Sequence, residues 1–281
     1  MACSRFEYVK AFEQDDRCLP GTWIVVRLDG RGFARFVEQH GWSKPHDRRG
    51  QCLMDACAES VMREFGGDVV LAYGHSDEYS FLFKQGTVLF GRRASKLVSC
   101  VTSHFAASFV FLWPQFFLIS DGAGSGEALP LQGPPTFDGR AVCYPSAQHV
   151  RDYFAWRQAD CHVNCQYNTV FWALVLKGGL SPKEAQTRLK GTLTGDKNEI
   201  MFSMFGINYN DLPQWERKGS AVLRELVHVA KTDSRTGAAV QVEKTETVVV
   251  HQDIIEDGFW AGRPSLLAED AIGGRRIHPR A

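Results

Sequence analysis

The first half of the chain alternates short apolar segments with long amphipathic ones, and this order limits the possible folds more than any other feature. Strands are predicted where β-branched and aromatic residues cluster, at Thr22–Leu28, Val69–Ala72, Tyr79–Phe83 and Gly139–Cys143. Helices are predicted where apolar residues recur at three- and four-residue steps, at residues 47–65 and 90–111. The resulting βαββαβ order predicts an α+β fold with a ferredoxin-like antiparallel sheet.

Two acidic turns end strands of this predicted sheet. Asp29-Gly30 follows the first strand, and Ser76-Asp77-Glu78 forms the tip of the hairpin. Each acid alone is more typical of an ordinary turn. If the first and third strands are neighbours, however, Asp29 and Asp77 converge at one edge. Divalent cations prefer such carboxylate oxygens, and paired metal ions are common in nucleotidyl transfer. Together the turns predict a metal-dependent nucleotidyltransferase.

Residues around these acids have candidate roles of their own. Gly30 leaves its carbonyl free to approach a metal ion. Glu78 is predicted to lie on the opposite face from Asp77, as a group that supports the metal site or as a surface charge; we favour the first. The turn Gly30-Arg31-Gly32-Phe33-Ala34 can bind a triphosphate through its backbone N–H groups, although a tight turn before a helix is an equal alternative.

Basic residues near the two helix starts are candidate triphosphate ligands. Arg93 and Lys96 lie three residues apart, around Ser95. Cations at a helix N-terminus oppose the helix dipole, so their presence favours a bound anion. Lys44 is the other candidate, and Asp47 near it has the alternative role of a helix N-cap.

The second half of the chain is predicted to be mainly helical. The predicted helices are Ala147–Asp160, Asn164–Lys177, Pro182–Leu189 and Glu199–Phe205, and the predicted closing strands are Ala221–Val229 and Val240–Val250. Residues 122–135 read as a flexible surface loop and residues 275–280 as a disordered basic tail. We therefore divide the chain into a catalytic region, residues 1–145, and a C-terminal region, residues 146–281.

Residues 156–169 are rich in Arg, Gln, Asn, His and aromatic residues, which can pair with base edges or stack on unpaired bases. A polar helix start with a buried tyrosine is an equal alternative. Lys197 could contact phosphate, but Asp196 and Glu199 have the spacing of a capping box, and we favour that structural interpretation.

Composition sets limits on partners and location. Lys+Arg and Asp+Glu both number 32, so any surface for nucleic acid must be a local patch. No uninterrupted apolar run approaches the ~20 residues of a membrane span, and Met1–Glu7 lacks an apolar signal core. We expect a cytoplasmic protein, with a nuclear or organellar pool also possible, and no membrane contact. The eight cysteines form no Cys-x-x-Cys pair and are expected to be reduced. Zinc at Cys161-His162 with Cys165 is disfavoured, since no second cluster has matching spacing.

The chain resembles the eukaryotic tRNA-His guanylyltransferase family from residue 6 to about residue 260. The resemblance rests on a series of motifs in the same order: Arg27-Leu28-Asp29-Gly30-Arg31, Tyr73–Ser80, Arg92–Lys96, Arg157–His162, Tyr167-Asn168-Thr169, Gly191-Thr192-Leu193, Asp196–Glu199 and Arg217-Lys218-Gly219. It implies a polymerase-like palm with a helical C-terminal part, assembled as a homotetramer, a dimer of dimers.

The resemblance also implies a reaction and its residues. The family adds one guanosine to the 5′ end of histidine tRNA: ATP adenylylates the 5′-monophosphate, the 3′-hydroxyl of GTP displaces AMP, and pyrophosphate is later removed. By similarity, Asp29, Gly30 and Asp77 hold two Mg²⁺ ions, and Glu78 assists catalysis. The implied nucleotide-binding residues are Asp29, Gly30, Arg31, Gly32, Phe33, Ala34, Lys44, Asp47, Ser76, Asp77, Arg93, Ser95 and Lys96. The implied tRNA-binding residues are His162, Asn164, Tyr167, Asn168 and Lys197.

The chain departs from the family at a few positions. Ala34 replaces a histidine, and Cys165-Gln166 replaces Asn-Leu in the signature His-Ile-Asn-Asn-Leu-Tyr-Asn-Thr. Three other functions use compatible features. They are templated 3′-to-5′ repair of truncated tRNAs, nucleotide cyclisation on a similar palm, and tRNA binding without catalysis.

Overall fold

The structure is a computed structural model and describes residues 4–119, 127–232 and 239–269. Its strands are β1 (Trp23–Gly30), β2 (Val69–His75), β3 (Glu78–Phe83), β4 (Leu118–Ile119), β5 (Glu127–Ala128), β6 (Phe137–Tyr144), β7 (Ser220–Thr232) and β8 (Ala239–Val250). Six of them form an antiparallel sheet in the order β6-β1-β3-β2-β7-β8, while β4 and β5 form a separate ribbon.

The helices cover both faces of this sheet. They are α1 (Phe33–Gln39), α2 (Arg48–Glu64), α3 (Ala94–Phe116), α4 (Ala147–Leu176), α5 (Pro182–Leu189), α6 (Thr194–Phe205), α7 (Gln214–Lys218) and α8 (Asp257–Ala261). Alternate residues of β1 enter two separate cores: Val26 packs in the core that contains residues of α2 and α3, and Val25 in the core that contains residues of α4. Because both faces are covered, β1 is an almost continuous apolar run.

The predicted βαββαβ topology and its antiparallel sheet are confirmed. β3 lies between β1 and β2, with Asp29 opposite Glu78 in the register of β1 and β3. The hairpin of β7 and β8 continues the same sheet beyond β2. Strands from both sides of residue 145 therefore build one sheet. In this sheet β7 of the hairpin lies beside β2, the strand that leads to Asp77.

Helix α3 is longer than predicted and is long and apolar enough, with 23 residues, to cross a membrane. One of its faces, however, fills the core under the sheet, with Leu97, Val101, Phe105, Phe109 and Trp113 buried. A core helix of this kind meets the same length and hydropathy criterion, so the length alone is weak support for a membrane span.

Three other predictions of local structure need correction. Residues 147–176 form one continuous helix, because residues 161–163, predicted as a break, contain neither glycine nor proline. Helix α6 begins at Thr194 rather than at Glu199. The Leu193 backbone N–H donates to the Asp196 carboxylate at 2.8 Å, so Asp196 is inside the first turn and is not the N-cap.

The predicted flexible loop at residues 122–135 is partly packed. The Trp113 indole donates to the Leu129 carbonyl oxygen at 2.7 Å, and the backbone N–H of Gln132 donates to the His40 ring at 2.9 Å. Residues 120–126 and the predicted basic tail at 275–280 lie outside the described residues.

Candidate active site

The end of β1 and the β2–β3 turn meet at one edge of the sheet. The Gly30 backbone N–H donates to the Asp77 carbonyl oxygen at 3.1 Å. A Cβ atom built on Gly30 would lie only 2.8 Å from the Asp77 Oδ2 atom, so this carboxylate packs directly against the glycine. The antiparallel pairing of β1 with β3 thus brings Asp29, Gly30 and Asp77 together, as the sequence predicts.

The surroundings of Asp77 destabilise its negative charge. Burial raises the pKa of Asp77, and the negative charge of Asp29 raises it further. The Ser76 hydroxyl donates to Asp77 Oδ1 at 3.1 Å and partly offsets the shift. Ser76 adopts a left-handed backbone conformation, with φ of 54°, that forms the tight turn before β3. Two neighbouring carboxylates of this kind are most stable when a cation lies between them.

These residues suit a magnesium ion. Asp29 and Asp77 supply carboxylate oxygens, and the backbone carbonyl of Gly30 supplies a third hard donor of the kind that Mg²⁺ prefers. The missing side chain at position 30 is what lets the Asp77 carboxylate come so close to the strand.

Glu78 lies on the other side of the strand from Asp77 and is held by arginines. The Arg157 Nη1 atom contacts both carboxylate oxygens, at 3.1 and 2.9 Å, and Arg27 Nε lies 3.8 Å from Oε2. Burial raises the pKa of Glu78, although the charge of Arg157 opposes the shift. The ion pair anchors α4 to the catalytic edge, which agrees with a supporting role for Glu78.

A cavity of about 290 Å³ opens beside Asp77. Several predicted site residues line it: Ala34, Lys44, Asp47, Ser76, Asp77, Asn164 and Asn168. The wall also contains side chains that the sequence did not single out: His46, Gln51, His75, Trp172, Trp215 and Glu216. The site is therefore built by residues of both halves of the chain.

Two of the residues predicted to bind nucleotide, Asp47 and Phe33, line the cavity and also make strong structural contacts. Asp47 is the N-cap of α2, and its carboxylate accepts from the backbone N–H groups of Ser43 and Arg49 and from the Arg49 guanidinium. Burial raises the pKa of Asp47, but the contacts with Arg49 outweigh that effect and the net shift is downward. Phe33 is a core residue, 5% exposed, whose ring stacks on Phe36.

Arg31 and Gly32, in the turn between β1 and α1, are open to solvent. Arg31 is exposed, and its backbone N–H donates to Thr136 at 2.8 Å. Gly32 adopts a left-handed conformation, with φ of 66°, before the first turn of α1. Lys44 lies in the cavity wall with its ammonium group 5.3 Å from the centre of the Trp172 ring.

The basic residues of α3 lie at the opposite end of the sheet from Asp29 and Asp77. The Ser95 backbone N–H donates to the Asp16 carboxylate at 2.6 Å, and Arg93 pairs with Asp16 at 3.6 Å. This helix start contacts the residues that precede β1, roughly 20–25 Å along the strands from Asp29. Within a single chain Arg93 and Ser95 therefore lie apart from Asp29, and nucleotide binding by Arg93, Ser95 and Lys96 stays a prediction. Asp16 supplies an anionic partner for Arg93 and for the first turn of α3.

The residues predicted to bind tRNA divide into two groups. Asn164 and Asn168 line the cavity, and Asn164 also contacts Asp160 at 3.2 Å. Others make internal contacts: His162 Nδ1 with the Tyr209 hydroxyl at 2.9 Å, Tyr167 stacked on Phe171, and the Lys197 ammonium with the Thr192 carbonyl oxygen at 2.8 Å.

Burial removes two residues of the same stretch from any direct role in RNA reading. Arg157 is 5% exposed and Gln158 is fully buried. The Gln158 side chain donates to the carbonyl oxygens of Lys218 and Gln252, so it joins α4 to the segments that flank the β7–β8 hairpin. Residue composition alone could not separate these structural residues from accessible ones.

Comparisons with known proteins show the family. The family model of tRNAHis guanylyltransferase (Thg1) matches residues 6–145, and the model of the Thg1 C-terminal domain matches residues 148–256. The chain is 51% identical over 278 residues to a probable tRNA(His) guanylyltransferase of Mus musculus, covering 96% of this chain and 90% of the relative. It is 50% identical over 292 residues to the tRNA(His) guanylyltransferase of Neurospora crassa, covering 95% and 97%.

Solved structures show the same fold. The crystal structure of tRNA(His) guanylyltransferase from Saccharomyces cerevisiae superposes with a TM-score of 0.71 at 43% identity, covering 78% of this chain and 93% of that one. A bacterial Thg1-like protein in complex with ATP superposes with a TM-score of 0.68 at 20% identity, covering 95% and 100%. Both family models and the near full-length identities lead to one conclusion: the chain belongs to the tRNA(His) guanylyltransferase family.

Proposed function

We propose that this protein adds one guanosine to the 5′ end of histidine tRNA, in the three steps that the resemblance implies: adenylylation by ATP, attack by the GTP 3′-hydroxyl, and removal of pyrophosphate. The observation that carries the proposal is the convergence of Asp29, Gly30 and Asp77 beside a cavity. The substrates supply both the attacking oxygen and the leaving group, so the chain needs no covalent nucleophile.

The chemistry depends on how these residues hold charge. Two Mg²⁺ ions bound by Asp29, Asp77 and the Gly30 carbonyl would polarise the phosphate, lower the pKa of the attacking hydroxyl and stabilise the leaving pyrophosphate. Asp77 is positioned by Ser76 and by the close approach of Gly30. Lys44 in the cavity wall supplies positive charge for a nucleotide phosphate.

The wider site and assembly belong to the same proposal. Arg93, Ser95 and Lys96 are too distant from Asp77 to contact its nucleotide in one chain, so we propose that they act on nucleotide bound by another subunit of a homotetramer. Asn164 and Asn168 offer amide groups toward tRNA. We also propose a cytoplasmic location, with a nuclear or organellar pool allowed. The seven cysteines in the described ranges are free, as expected in a reducing compartment.

The test is guanosine transfer onto 5′-monophosphorylated histidine tRNA with ATP, radiolabelled GTP and magnesium. We expect Asp77→Ala to abolish both adenylylation and guanosine addition while the circular dichroism spectrum is retained. Asp152→Ala removes an exposed acid from α4 and is the matched control, expected to keep full activity. Undiminished activity of Asp77→Ala contradicts the assignment of the metal site.

The same assay separates the alternative functions. Truncated tRNAs that lack 5′ nucleotides are offered beside histidine tRNA, and ATP or GTP is also incubated alone with magnesium. Preferred templated extension of truncated tRNA indicates a repair polymerase, cyclic nucleotide indicates a cyclase, and binding without product indicates an inactive tRNA-binding protein.

A further inference from the structure

Three side chains with different metal-binding atoms meet in the cavity wall. They come from distant parts of the chain: His46 from the segment between α1 and α2, Cys165 from the middle of α4, and Glu216 from α7. Their ligating atoms, one ring nitrogen, one sulfur and one carboxylate oxygen, all lie within 4.8 Å of one another.

This donor set differs in chemistry from the edge that holds Asp29 and Asp77. Oxygen donors alone suit magnesium, whereas nitrogen, sulfur and oxygen together suit zinc. Zinc sites with three protein ligands keep a fourth position for water or substrate. At zinc–ligand distances of about 2.0–2.3 Å, a tetrahedral site needs ligand atoms roughly 3.3–3.8 Å apart. Contraction by about 1 Å is within the reach of the half-buried Glu216 and His46 side chains.

The state of His46 also points to a ligand. Its Nε2 atom is buried and has no hydrogen-bond partner among the described residues. Such an unpaired buried polar atom destabilises the folded chain, and a bond to a metal would offset that loss. The Trp215 ring packs edge-on against the imidazole, with 6.3 Å between ring centres, and limits its rotation.

Cys165 departs from the family signature, which has asparagine at this position. A buried cysteine is by itself a small apolar residue. Here, however, a histidine nitrogen and a carboxylate oxygen lie within 4.8 Å of the sulfur, and the wall of the same cavity contains Asp77. The replacement of asparagine therefore supplies the strongest zinc ligand of the three.

We propose that His46, Cys165 and Glu216 bind a zinc ion whose fourth position is open to the cavity. The ion joins the segment before α2 and helix α7 to α4, and so stabilises the wall that faces Asp77. The site does not depend on the guanosine transfer proposed above, because it uses none of the magnesium ligands.

The experiment measures metal binding by the full-length protein. Metal-free protein is titrated with Zn²⁺ against a chromophoric chelator, with excess Mg²⁺ present to occupy the carboxylate edge. We expect one tightly bound zinc per chain. In a parallel titration, Co²⁺ should produce a thiolate-to-cobalt charge-transfer band, which carboxylates alone do not give.

The variants identify the ligands. Cys165→Ser and His46→Asn are each expected to weaken zinc binding at least about 100-fold, since each removes a direct ligand. Cys100→Ser removes a half-buried thiol from α3, outside the cavity wall, and is the matched control, expected to keep the wild-type affinity and the cobalt band. His46→Asn changes a half-buried residue outside the helices, so it tests the site even if Cys165→Ser does not fold. No zinc binding, no cobalt band, or unchanged zinc affinity in His46→Asn overturns the proposal.

Discussion

Replacing Gly30 with alanine should displace the Asp77 carboxylate and stop nucleotidyl transfer. A Cβ atom at position 30 would lie 2.7 Å from Phe33 Cδ2, 2.8 Å from Asp77 Cβ and 2.8 Å from Asp77 Oδ2. Favourable carbon–carbon contacts lie near 3.5–4.0 Å, so each overlap is roughly 1 Å. Phe33 is held in the core, and Asp77 is therefore the side chain that must move.

Both stability and activity should respond. Overpacking of this size costs about 1–3 kcal/mol in the free energy of unfolding. A displacement of about 1 Å in a reacting group can slow catalysis ~100-fold, and we expect that loss in single-turnover guanosine transfer at saturating GTP. A higher magnesium concentration should be needed for half-maximal rate, because Asp77 no longer lies where it binds metal.

Gly67→Ala is the matched control. Gly67 is exposed, and a Cβ atom there would contact no atom within 4 Å. Urea unfolding and the transfer assay should give nearly wild-type values for this variant. If Gly30→Ala retains the wild-type transfer rate and magnesium dependence, the close approach of Gly30 and Asp77 has no catalytic role.

Two further predictions concern buried carboxylates. The Tyr79 hydroxyl donates to buried Asp55 at 2.7 Å, and Tyr79→Phe should destabilise the protein by about 1.5–3 kcal/mol at pH 7. Burial raises the pKa of Asp55 above its unfolded value of 3.8. At pH values between the unfolded and the folded pKa, folding therefore takes up a proton, and the free energy of unfolding falls as pH rises across that range. Without the Tyr79 hydroxyl the pKa of Asp55 rises further. In urea unfolding, Tyr79→Phe should therefore lower the free energy of unfolding less at acidic pH than at pH 7. A loss of stability that grows on acidification would contradict the argument. Arg157→Leu leaves half-buried Glu78 with only the more distant Arg27, at a cost of up to about 3–5 kcal/mol, and adding Glu78→Gln should recover most of that loss. Guanosine transfer by the double variant then tests Glu78 directly: recovered stability without activity indicates a catalytic carboxylate, and recovered activity indicates a supporting one.

The sheet and its acidic edge were predictable because their signals are local. Period-two and three-to-four-residue apolar patterns gave the strand and helix order, and the hairpin rule placed Asp77 beside the end of β1. Helix ends were less predictable. Asp196 fits a capping position by spacing, but the chain places it in the first turn of α6, three residues after the true cap.

Contacts between distant segments were beyond the sequence. Arg157 belongs to a stretch rich in RNA-reading residue types, yet it is buried against Glu78, 79 positions earlier. Arg93 has the charge expected of a triphosphate ligand, yet it pairs with Asp16 at the far end of the sheet. Charge and spacing indicate which interactions a side chain can make. Its burial and the residues packed against it decide which of those interactions it makes.

The sequence by itself determined the topology, the convergence of Asp29 and Asp77 at one sheet edge and the resemblance to a family, because these follow from alternation, turn residues and motif order along the chain. Only the tertiary structure decided which cations reach the acids, which polar residues of α4 stay accessible, and that His46, Cys165 and Glu216 meet. Those outcomes depend on how helices pack across the sheet, and packing joins residues more than 100 positions apart that share no pattern in the sequence.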